Sequence, residues 1–349
     1  MQEIITSNDS STVLNELITR KNYDSIFILT DENTEKHCLP FINKLSLLKD
    51  ARIITIKAND DNKNIESLSN VWAELGNMGA TRHSLLINLG GGMVTDLGGF
   101  AASTFKRGIQ FINIPTTLLA MVDASVGGKT GINFNGLKNE VGVFNSANAV
   151  ILDTTFLQTL DSQNIRSGYA EMLKHGLISD NQHWGELISF NLSEPDLHSL
   201  GKLISTSVKI KENIVNSDPF ETGIRKALNF GHTIGHALES LALENKKPVL
   251  HGYAVAWGTI CELYLSYTKC NFPTDKMRQT AQFINYYFGP CGITCEDYEK
   301  LYAYMTHDKK NTAGQINFTL LTNIGDIRIN QTASKEEIFE ALDFLRDGQ

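Results

Sequence analysis

Short apolar runs alternate with amphipathic stretches through the first half of the chain. The runs that predict strands are SIFILT (25–30), ARIITIK (51–57), SLLINLG (84–90), IQFINIP (109–115) and NAVILD (148–153). Strands that take turns with helices are typical of βαβ units, whose strands lie parallel in one sheet. We therefore predict an α/β domain with a parallel sheet over residues 1–160.

The second half changes to helical periodicity. SLGKLISTSVKIKENIVNS (199–217) and YAVAWGTICELYLSYTK (253–269) carry apolar residues at intervals of three and four, which predicts a mainly α-helical domain over residues 161–349. INFTLL (316–321) and GDIRIN (325–330) are the exception, because two short extended runs separated by a turn predict a β-hairpin. Rossmann-like sheets bind ligands at the carboxyl ends of their strands, so we expect the active site in the cleft between the domains.

Size and charge restrict the function further. A chain of 349 residues is too long for one hydrophobic core, and its net charge of −8 argues against a nucleic-acid partner or an anionic membrane surface. A local basic pocket for a small acidic substrate remains compatible with that charge. The start MQEIITSNDS lacks the features of a signal peptide, and the five cysteines are odd in number and scattered, so we expect a cytoplasmic protein with reduced thiols.

Two glycine-rich turns are candidate phosphate sites. Gly90–Gly92 follows a predicted strand and precedes a predicted helix, where backbone amides could approach a pyrophosphate; a tight turn that permits close helix packing explains the same glycines. VGGKTG (126–131) is not a P-loop, because Asp123 occupies the position where that motif requires glycine. Lys129 could still meet a phosphate oxygen as a point charge.

The segment NFGHTIGHALE places His232 and His236 one helical turn apart. Such a pair can bind one zinc ion, but Thr233 stands where the zincin motif has its general-base glutamate. Other potential ligands are Glu171, His175 and His251. Spacing alone does not choose among the four histidines, and any of them could be an ordinary packed side chain.

Five segments together resemble the 3-dehydroquinate synthase family: GGGMVTDLGGFAAS, IPTTLLAMVDASVGGKTGIN, RSGYAEMLKHGLI, RKALNFGHTIGHALE and HGYAVAWG. The resemblance runs from TDEN near residue 31 to HDKK near residue 307. It implies a divalent ion, Zn2+ or Co2+, held by Glu171, His232 and His251. His236 would then face the substrate rather than the metal.

The resemblance also implies a reaction. The family converts 3-deoxy-D-arabino-heptulosonate 7-phosphate into 3-dehydroquinate and phosphate, as a step of the shikimate pathway to the aromatic amino acids. NAD+ is consumed and regenerated in each turnover. Oxidation of one hydroxyl to a ketone acidifies the neighbouring hydrogen, phosphate leaves by β-elimination, the hydride returns, and an intramolecular aldol step closes the ring.

By the same resemblance, one set of residues binds the carboxylate and phosphate of this sugar acid: Asp123, Lys129, Asn139, Lys174, Lys211, Arg225, Asn229, His236 and Lys309 or Lys310. Arg107 resembles an arginine that reaches the phosphate from the neighbouring subunit, which implies a homodimer. A second set binds NAD+: Asp31, Asn33, Asp60, Lys63, Gly91, Gly92, Asp96, Thr116, Thr117, Lys138 and Thr159. A carboxylate such as Asp31 after a strand suits a ribose diol, although Asp31 is equally a good helix cap.

Two positions depart from the family pattern: Tyr253 and Asp60 each stand where glutamate is usual. Tyr253 removes a carboxylate near the proposed ligands, so hydrogen bonding around the metal could differ. The alternatives are a sibling sugar phosphate cyclase, such as 2-deoxy-scyllo-inosose synthase or a valiolone-type synthase, and a metal-dependent polyol dehydrogenase. A non-enzymatic, zinc-stabilised binding module is a further alternative, and it predicts that chelation unfolds the chain.

Overall fold

The computed structural model describes residues 2–306 and 315–347. The chain divides into two compact units, Met1–Asp161 and Ser162–Gln349. The five cysteines, which all lie in the described ranges, are free thiols. Across these ranges no helix is both long enough and apolar enough to span a bilayer.

The first unit contains a six-stranded sheet in which every pair is parallel. Its strands lie in the order β1-β8-β5-β4-β2-β3, and β6 and β7 form a separate antiparallel hairpin. The strand bounds are β1 Glu3–Thr6, β2 Ile26–Asp31, β3 Arg52–Ile56, β4 Leu85–Gly90, β5 Gln110–Pro115, β6 Lys129–Phe134, β7 Leu137–Phe144 and β8 Ala149–Leu152. The predicted parallel sheet is thus confirmed, whereas β1 and the hairpin were not predicted.

Three helices of this unit begin at polar caps, and α5 begins at glycine. Asp9, Asp31 and Asn64 accept hydrogen bonds from backbone N–H groups of the first helical turn, which satisfies donors that the helix cannot pair internally. The cap interpretation of Asp31 is therefore confirmed. The helices are α1 Ser10–Thr19, α2 Glu32–His37, α3 Leu39–Ile42, α4 Ile65–Asn77 and α5 Gly92–Thr104.

The second unit is mainly helical and carries the predicted hairpin. Its strands β9 Phe318–Asn323 and β10 Asp326–Gln331 are antiparallel, and Gly325 between them has the positive φ of 79° that a tight turn requires. Its helices are α6 Ser162–Ser179, α7 Asn181–Ile188, α8 Leu197–Ser217, α9 His232–Glu244, α10 His251–Cys270, α11 Thr274–Phe288, α12 Tyr298–Thr306 and α13 Lys335–Asp347.

Helix α5 packs closely against the central sheet where Gly98 faces it. A Cβ atom added at Gly98 would lie 2.1 Å from Oδ1 of Asn88 on β4 and 2.7 Å from Cδ2 of Leu29 on β2. Asn88 is buried and donates a hydrogen bond to Asn113 of β5, so it cannot move without breaking a buried polar contact. The glycine therefore sets the distance between α5 and the sheet.

We predict that Gly98→Ala lowers the free energy of unfolding by about 1–3 kcal/mol, because the added methyl group overpacks a closed site. Gly76→Ala is the matched control: Gly76 also lies in a helix, α4, but an added Cβ meets nothing within 4 Å. Relief of backbone entropy should stabilise that variant by about 0.5–1 kcal/mol. Urea denaturation followed by circular dichroism measures both, and equal midpoints for the two variants would contradict this account of α5.

Candidate metal centre

Three potential metal ligands meet within the second unit. Glu171 lies in α6, His232 is the first residue of α9, and His251 is the first residue of α10. One ligand atom from each lies within 4.8 Å of the others. The fold thereby brings together three side chains that lie far apart along the chain, at positions 171, 232 and 251.

Both imidazoles present the same ring nitrogen to the carboxylate. Nε2 of His232 and Nε2 of His251 each lie 3.3 Å from Oε1 of Glu171. The other nitrogen of His232, Nδ1, donates to the backbone oxygen of Phe230 at 3.1 Å. Nδ1 of His251 lies 3.4 Å from Oε2 of Glu239.

Glycine allows the three helices to come this close. A Cβ atom at Gly252, next to His251, would lie 1.8 Å from the backbone oxygen of Ser167 on α6. A Cβ atom at Gly258 on α10 would lie 2.1 Å from the backbone oxygen of Gly231, which precedes α9. Gly231 itself has φ +79°, a conformation that favours glycine. At both contacts, Gly252 with Ser167 and Gly258 with Gly231, backbone packs directly on backbone. Gly252 adjoins His251, and Gly231 adjoins His232.

A buried carboxylate from α10 holds the start of α9. Glu262 has no solvent exposure, and its oxygens accept hydrogen bonds from the backbone N–H groups of Gly231 at 2.7 Å, Thr233 at 3.0 Å and Ile234 at 3.4 Å. These amides belong to the first turn of a helix, where donors have no intrahelical partner and a negative charge is favoured. Glu262 therefore anchors His232 to the helix that bears His251.

Electrostatics make the cluster a site for positive charge. Glu171 is fully buried, and burial alone would raise the pKa of its carboxyl; the charges of Lys174 and His232 outweigh burial and lower the pKa well below its usual range. For His251, burial alone would lower the pKa, but the carboxylates of Glu171 and Glu239 raise it to about 10. The surroundings of both groups favour a cation among them.

The donor set fits a zinc-type ion. One carboxylate oxygen and two imidazole nitrogens are ligands that Zn2+ and Co2+ accept, and three protein ligands leave a position open for substrate. Within residues 2–306 and 315–347, Oε1 of the buried Glu171 makes no well-formed hydrogen bond, so its lone pairs remain available for a cation. These observations fit the set that the family resemblance implies.

The other candidates of the second unit occupy different environments. His236 is half-buried on α9, with its ring centroid 5.4 Å from that of His232 and 6.0 Å from that of His251. Lys174, Lys211 and Arg225 are buried cations. Asn229 is half-buried and donates to Oε1 of Glu221 at 2.6 Å. His175 is buried on α6, and Lys309 and Lys310 lie outside the described residues.

Several candidates of the first unit lie at one edge of the sheet. Asp31 ends β2, Gly91 and Gly92 follow β4, and Thr116 and Thr117 follow β5. These three strands are neighbours in the order β5-β4-β2, so the carboxyl ends of adjacent parallel strands bring the five residues to the same edge. Oδ1 of Asp31 accepts from the backbone N–H groups of Asn33 and Thr34 at 2.8 and 2.9 Å.

The buried candidate Lys63 contacts two further candidates. Lys63 donates to Asp96 and, at 2.5 Å, to Oδ1 of Asn139. Burial raises the pKa of Asp96 above its usual value, although Lys63 opposes that shift. Asn139, assigned to the substrate by resemblance, therefore contacts a residue assigned to NAD+.

The remaining candidates of the first unit are mostly at the surface. Nζ of Lys138 lies 3.4 Å from Oδ2 of Asp60, and each side chain is about half exposed. Arg107 is exposed, with φ +69°. Asp123 is half-buried in a π-helical turn, Ala120–Ala124. Asn33, Lys129 and Thr159 are exposed as well.

No sequence motif marked Glu239 or Glu262 as part of the site. Glu262 had a visible signal, since it is the one acidic residue in the otherwise apolar run YAVAWGTICELYLSYTK, and a carboxylate inside an apolar stretch requires a buried partner. Glu239 had no comparable signal, because its position on α9 resembles that of any helical glutamate.

The chain is similar to one named relative and to two solved structures. A full-length relative from Parabacteroides distasonis, named 3-dehydroquinate synthase, is 53% identical over 346 residues, which cover 99% of this chain and 98% of the relative. The structure of ValA, 2-epi-5-epi-valiolone synthase from Streptomyces hygroscopicus subsp. jinggangensis 5008, has a TM-score of 0.88 at 23% identity, covering 99% of this chain and 96% of that one. The structure of a 2-deoxy-scyllo-inosose synthase has a TM-score of 0.84 at 24% identity, covering 97% and 95%.

The two structural likenesses concern the fold, since each falls below 25% identity. The family models decide membership. The model of the 3-dehydroquinate synthase N-terminal part matches residues 53–167, and the model of the C-terminal part matches residues 168–311. With these matches and the 53% identical relative, the chain belongs to the 3-dehydroquinate synthase family.

Proposed function

We propose that the protein converts 3-deoxy-D-arabino-heptulosonate 7-phosphate into 3-dehydroquinate and phosphate, as a phosphorus–oxygen lyase of the shikimate pathway. The 53% identity over nearly the full length of a named 3-dehydroquinate synthase carries this proposal. Neither a sibling cyclase nor a polyol dehydrogenase is favoured, because both family models and this relative are those of 3-dehydroquinate synthase.

Glu171, His232 and His251 would hold the divalent ion. The solved ValA contains NAD+ and Zn2+, and the solved 2-deoxy-scyllo-inosose synthase contains NAD+ and Co2+. When bound here, the ion would supply a Lewis acid for the substrate hydroxyls and NAD+ would supply a reversible hydride acceptor. The three side chains are held in place by helix contacts at Gly252 and Gly258, so they need little rearrangement to bind.

The carboxyl edge of the parallel sheet would bind NAD+. Gly91 caps α5 and carries no side chain, so a ligand can approach the backbone amides of this turn closely. A Cβ atom at Gly91 would lie 3.1 Å from Cγ2 of Thr117, which places these two members of the set side by side. Asp31 would face a ribose diol and repel a 2′-phosphate, which favours NAD+ over NADP+. The other members of this proposed set are Asn33, Asp60, Lys63, Gly92, Asp96, Thr116, Lys138 and Thr159.

Buried cations in the second unit support an anionic substrate. Lys174 is 1% exposed, Arg225 2% and Lys211 6% in a chain of net charge −8. Charged side chains are rarely buried unless they are paired or used for binding. We assign to the substrate's carboxylate and phosphate the set Asp123, Lys129, Asn139, Lys174, Lys211, Arg225, Asn229, His236 and Lys309 or Lys310.

We also propose a homodimer in which Arg107 acts on the partner's substrate. Strand β7 is exposed at all eight positions and includes Leu137, Val141, Val143 and Phe144. An exposed apolar strand is a typical surface for pairing with another chain. Free thiols throughout the described residues agree with a reducing, cytoplasmic location.

The reaction itself is the first test. We expect the heptulosonate phosphate, with trace NAD+ and zinc or cobalt, to yield 3-dehydroquinate and phosphate in equal amounts and far in excess of the NAD+. This ratio follows because the cofactor is regenerated in each turnover. Product detection by mass spectrometry and phosphate release measure it. Net accumulation of NADH would instead identify a polyol dehydrogenase.

Two histidine variants test the division of roles on α9 and α10. We expect His251→Ala to abolish turnover and lose bound metal with the fold retained, since one of three ligands is removed. His236→Ala should keep its metal but turn over slowly. Metal analysis, circular dichroism and kinetics on the same preparations measure this. An equally complete loss of metal in His236→Ala would make both α9 histidines ligands.

Mixing two inactive variants tests the position of Arg107. Arg107→Ala and His251→Ala subunits, unfolded and refolded together, form mixed dimers in which one site combines an intact metal cluster with the partner's arginine. If half the dimers are mixed, about a quarter of wild-type activity returns. Arg107→Ala refolded alone is the control. No recovery from well-folded mixed dimers would place Arg107 in its own subunit's site.

A further inference from the structure

We propose that Glu239 is a positioning residue for the metal centre, which orients the imidazole of His251. This inference rests on the proposed ligand set and adds to it a residue that neither the sequence pattern nor the family resemblance assigned. Its carboxylate accepts a hydrogen bond from Nδ1–H of His251 and so leaves the Nε2 lone pair directed at the cluster.

The contact geometry carries the assignment. Oε2 of Glu239 lies 3.4 Å from Nδ1 of His251, while Nε2 on the opposite side of the ring lies 3.3 Å from Oε1 of Glu171. With a cation bound between Nε2 and Glu171, the neutral imidazole keeps its one proton on Nδ1, because an ionised carboxylate such as that of Glu239 can only accept a hydrogen bond. In that tautomer Nε2 is the available metal ligand.

Glu239 reaches this position from the helix that bears the other imidazole. It lies on α9, seven residues after His232, and positions two helical turns apart occupy the same face. Its side chain is 10% exposed. Taking a carboxylate this far out of water is unfavourable unless a polar partner compensates it, and His251 is such a partner.

The two histidines are fixed by different means. His232 donates from Nδ1 to the backbone oxygen of Phe230 at 3.1 Å, a contact that no side-chain substitution at Phe230 removes. The side chain of His251 is 28% exposed, against 10% for His232, so packing restrains it less. The orientation of His251 should therefore depend more strongly on its side-chain partner, and residues in this relation to a ligand typically alter metal affinity by about 10–100-fold.

Four variants separate positioning from general stability. Glu239→Ala removes the acceptor, and Glu239→Gln keeps an oxygen that can accept from Nδ1 but removes the charge. Glu244→Ala is the control, because it deletes a carboxylate from the same helix whose partners are Lys300, at 2.7 Å, and the hydroxyl of Tyr304 rather than an imidazole. His251→Ala reports the loss of the ligand itself.

For all four variants we would measure the affinity for zinc, by competition with a chromophoric chelator, and the absorption spectrum of bound Co2+. The urea midpoint of each metal-free protein measures its stability. We expect Glu239→Ala to bind zinc about 10–100-fold more weakly with altered Co2+ bands, Glu239→Gln to recover part of that loss, and Glu244→Ala to bind as the wild type does.

If Glu239→Ala keeps the wild-type zinc affinity and Co2+ bands while His251→Ala loses zinc affinity, this inference is overturned and the metal assignment stands. Loss of affinity in Glu239→Ala that only parallels a lowered urea midpoint, without recovery in Glu239→Gln, would make Glu239 a structural residue and also overturn it. Wild-type affinity in His251→Ala would overturn the ligand set itself.

Discussion

A carboxylate with no exposure to solvent, that of Glu171, is the charge around which the second unit is organised. Lys174 pairs with one of its oxygens, and Nε2 atoms of two imidazoles lie 3.3 Å from the other. A buried carboxylate without compensating positive charge destabilises a protein by several kcal/mol. The lysine and the imidazoles provide that compensation, and a divalent cation would complete it.

The backbone arrangement brings these charges together. His232 and His251 are each the first residue of a helix, and each helix is brought close to its neighbour beside that residue, through Gly231 against Gly258 and through Gly252 against Ser167. Any side chain at these glycines would push the helices apart. Glu262 then fixes the start of α9 to α10 through three backbone amides. Ligand geometry is thus set by rigid helices rather than by loops.

Local patterns in the sequence predicted the elements that carry a clear run or period of apolar residues. β4 is buried along its whole length, so its apolar run was visible, and the same holds for the α10 periodicity. β1 was missed because it is short and only half-buried, and β7 because all its side chains are exposed. An exposed strand has no alternation of apolar and polar residues to reveal it.

The site required more than local patterns. The spacing of His232 and His236 indicated a shared helix face, which α9 confirms, but it could not show that His251 also lies 3.3 Å from Glu171. That relation depends on the packing of α6, α9 and α10, which no short segment encodes. The family resemblance selected Glu171, His232 and His251 only because it carries the packing of related folds with it. The role of Glu239 could not be predicted either, because its contact with His251 depends on the packing of α9 against α10.

We propose that Glu171, His232 and His251 bind one catalytic cation. X-ray diffraction from zinc-soaked crystals, recorded on both sides of the zinc absorption edge, tests it without reference to turnover. The account predicts one strong anomalous peak in direct contact with an oxygen of Glu171 and with Nε2 of both histidines. A peak bound elsewhere, with these three side chains retaining only their contacts to one another, would contradict it.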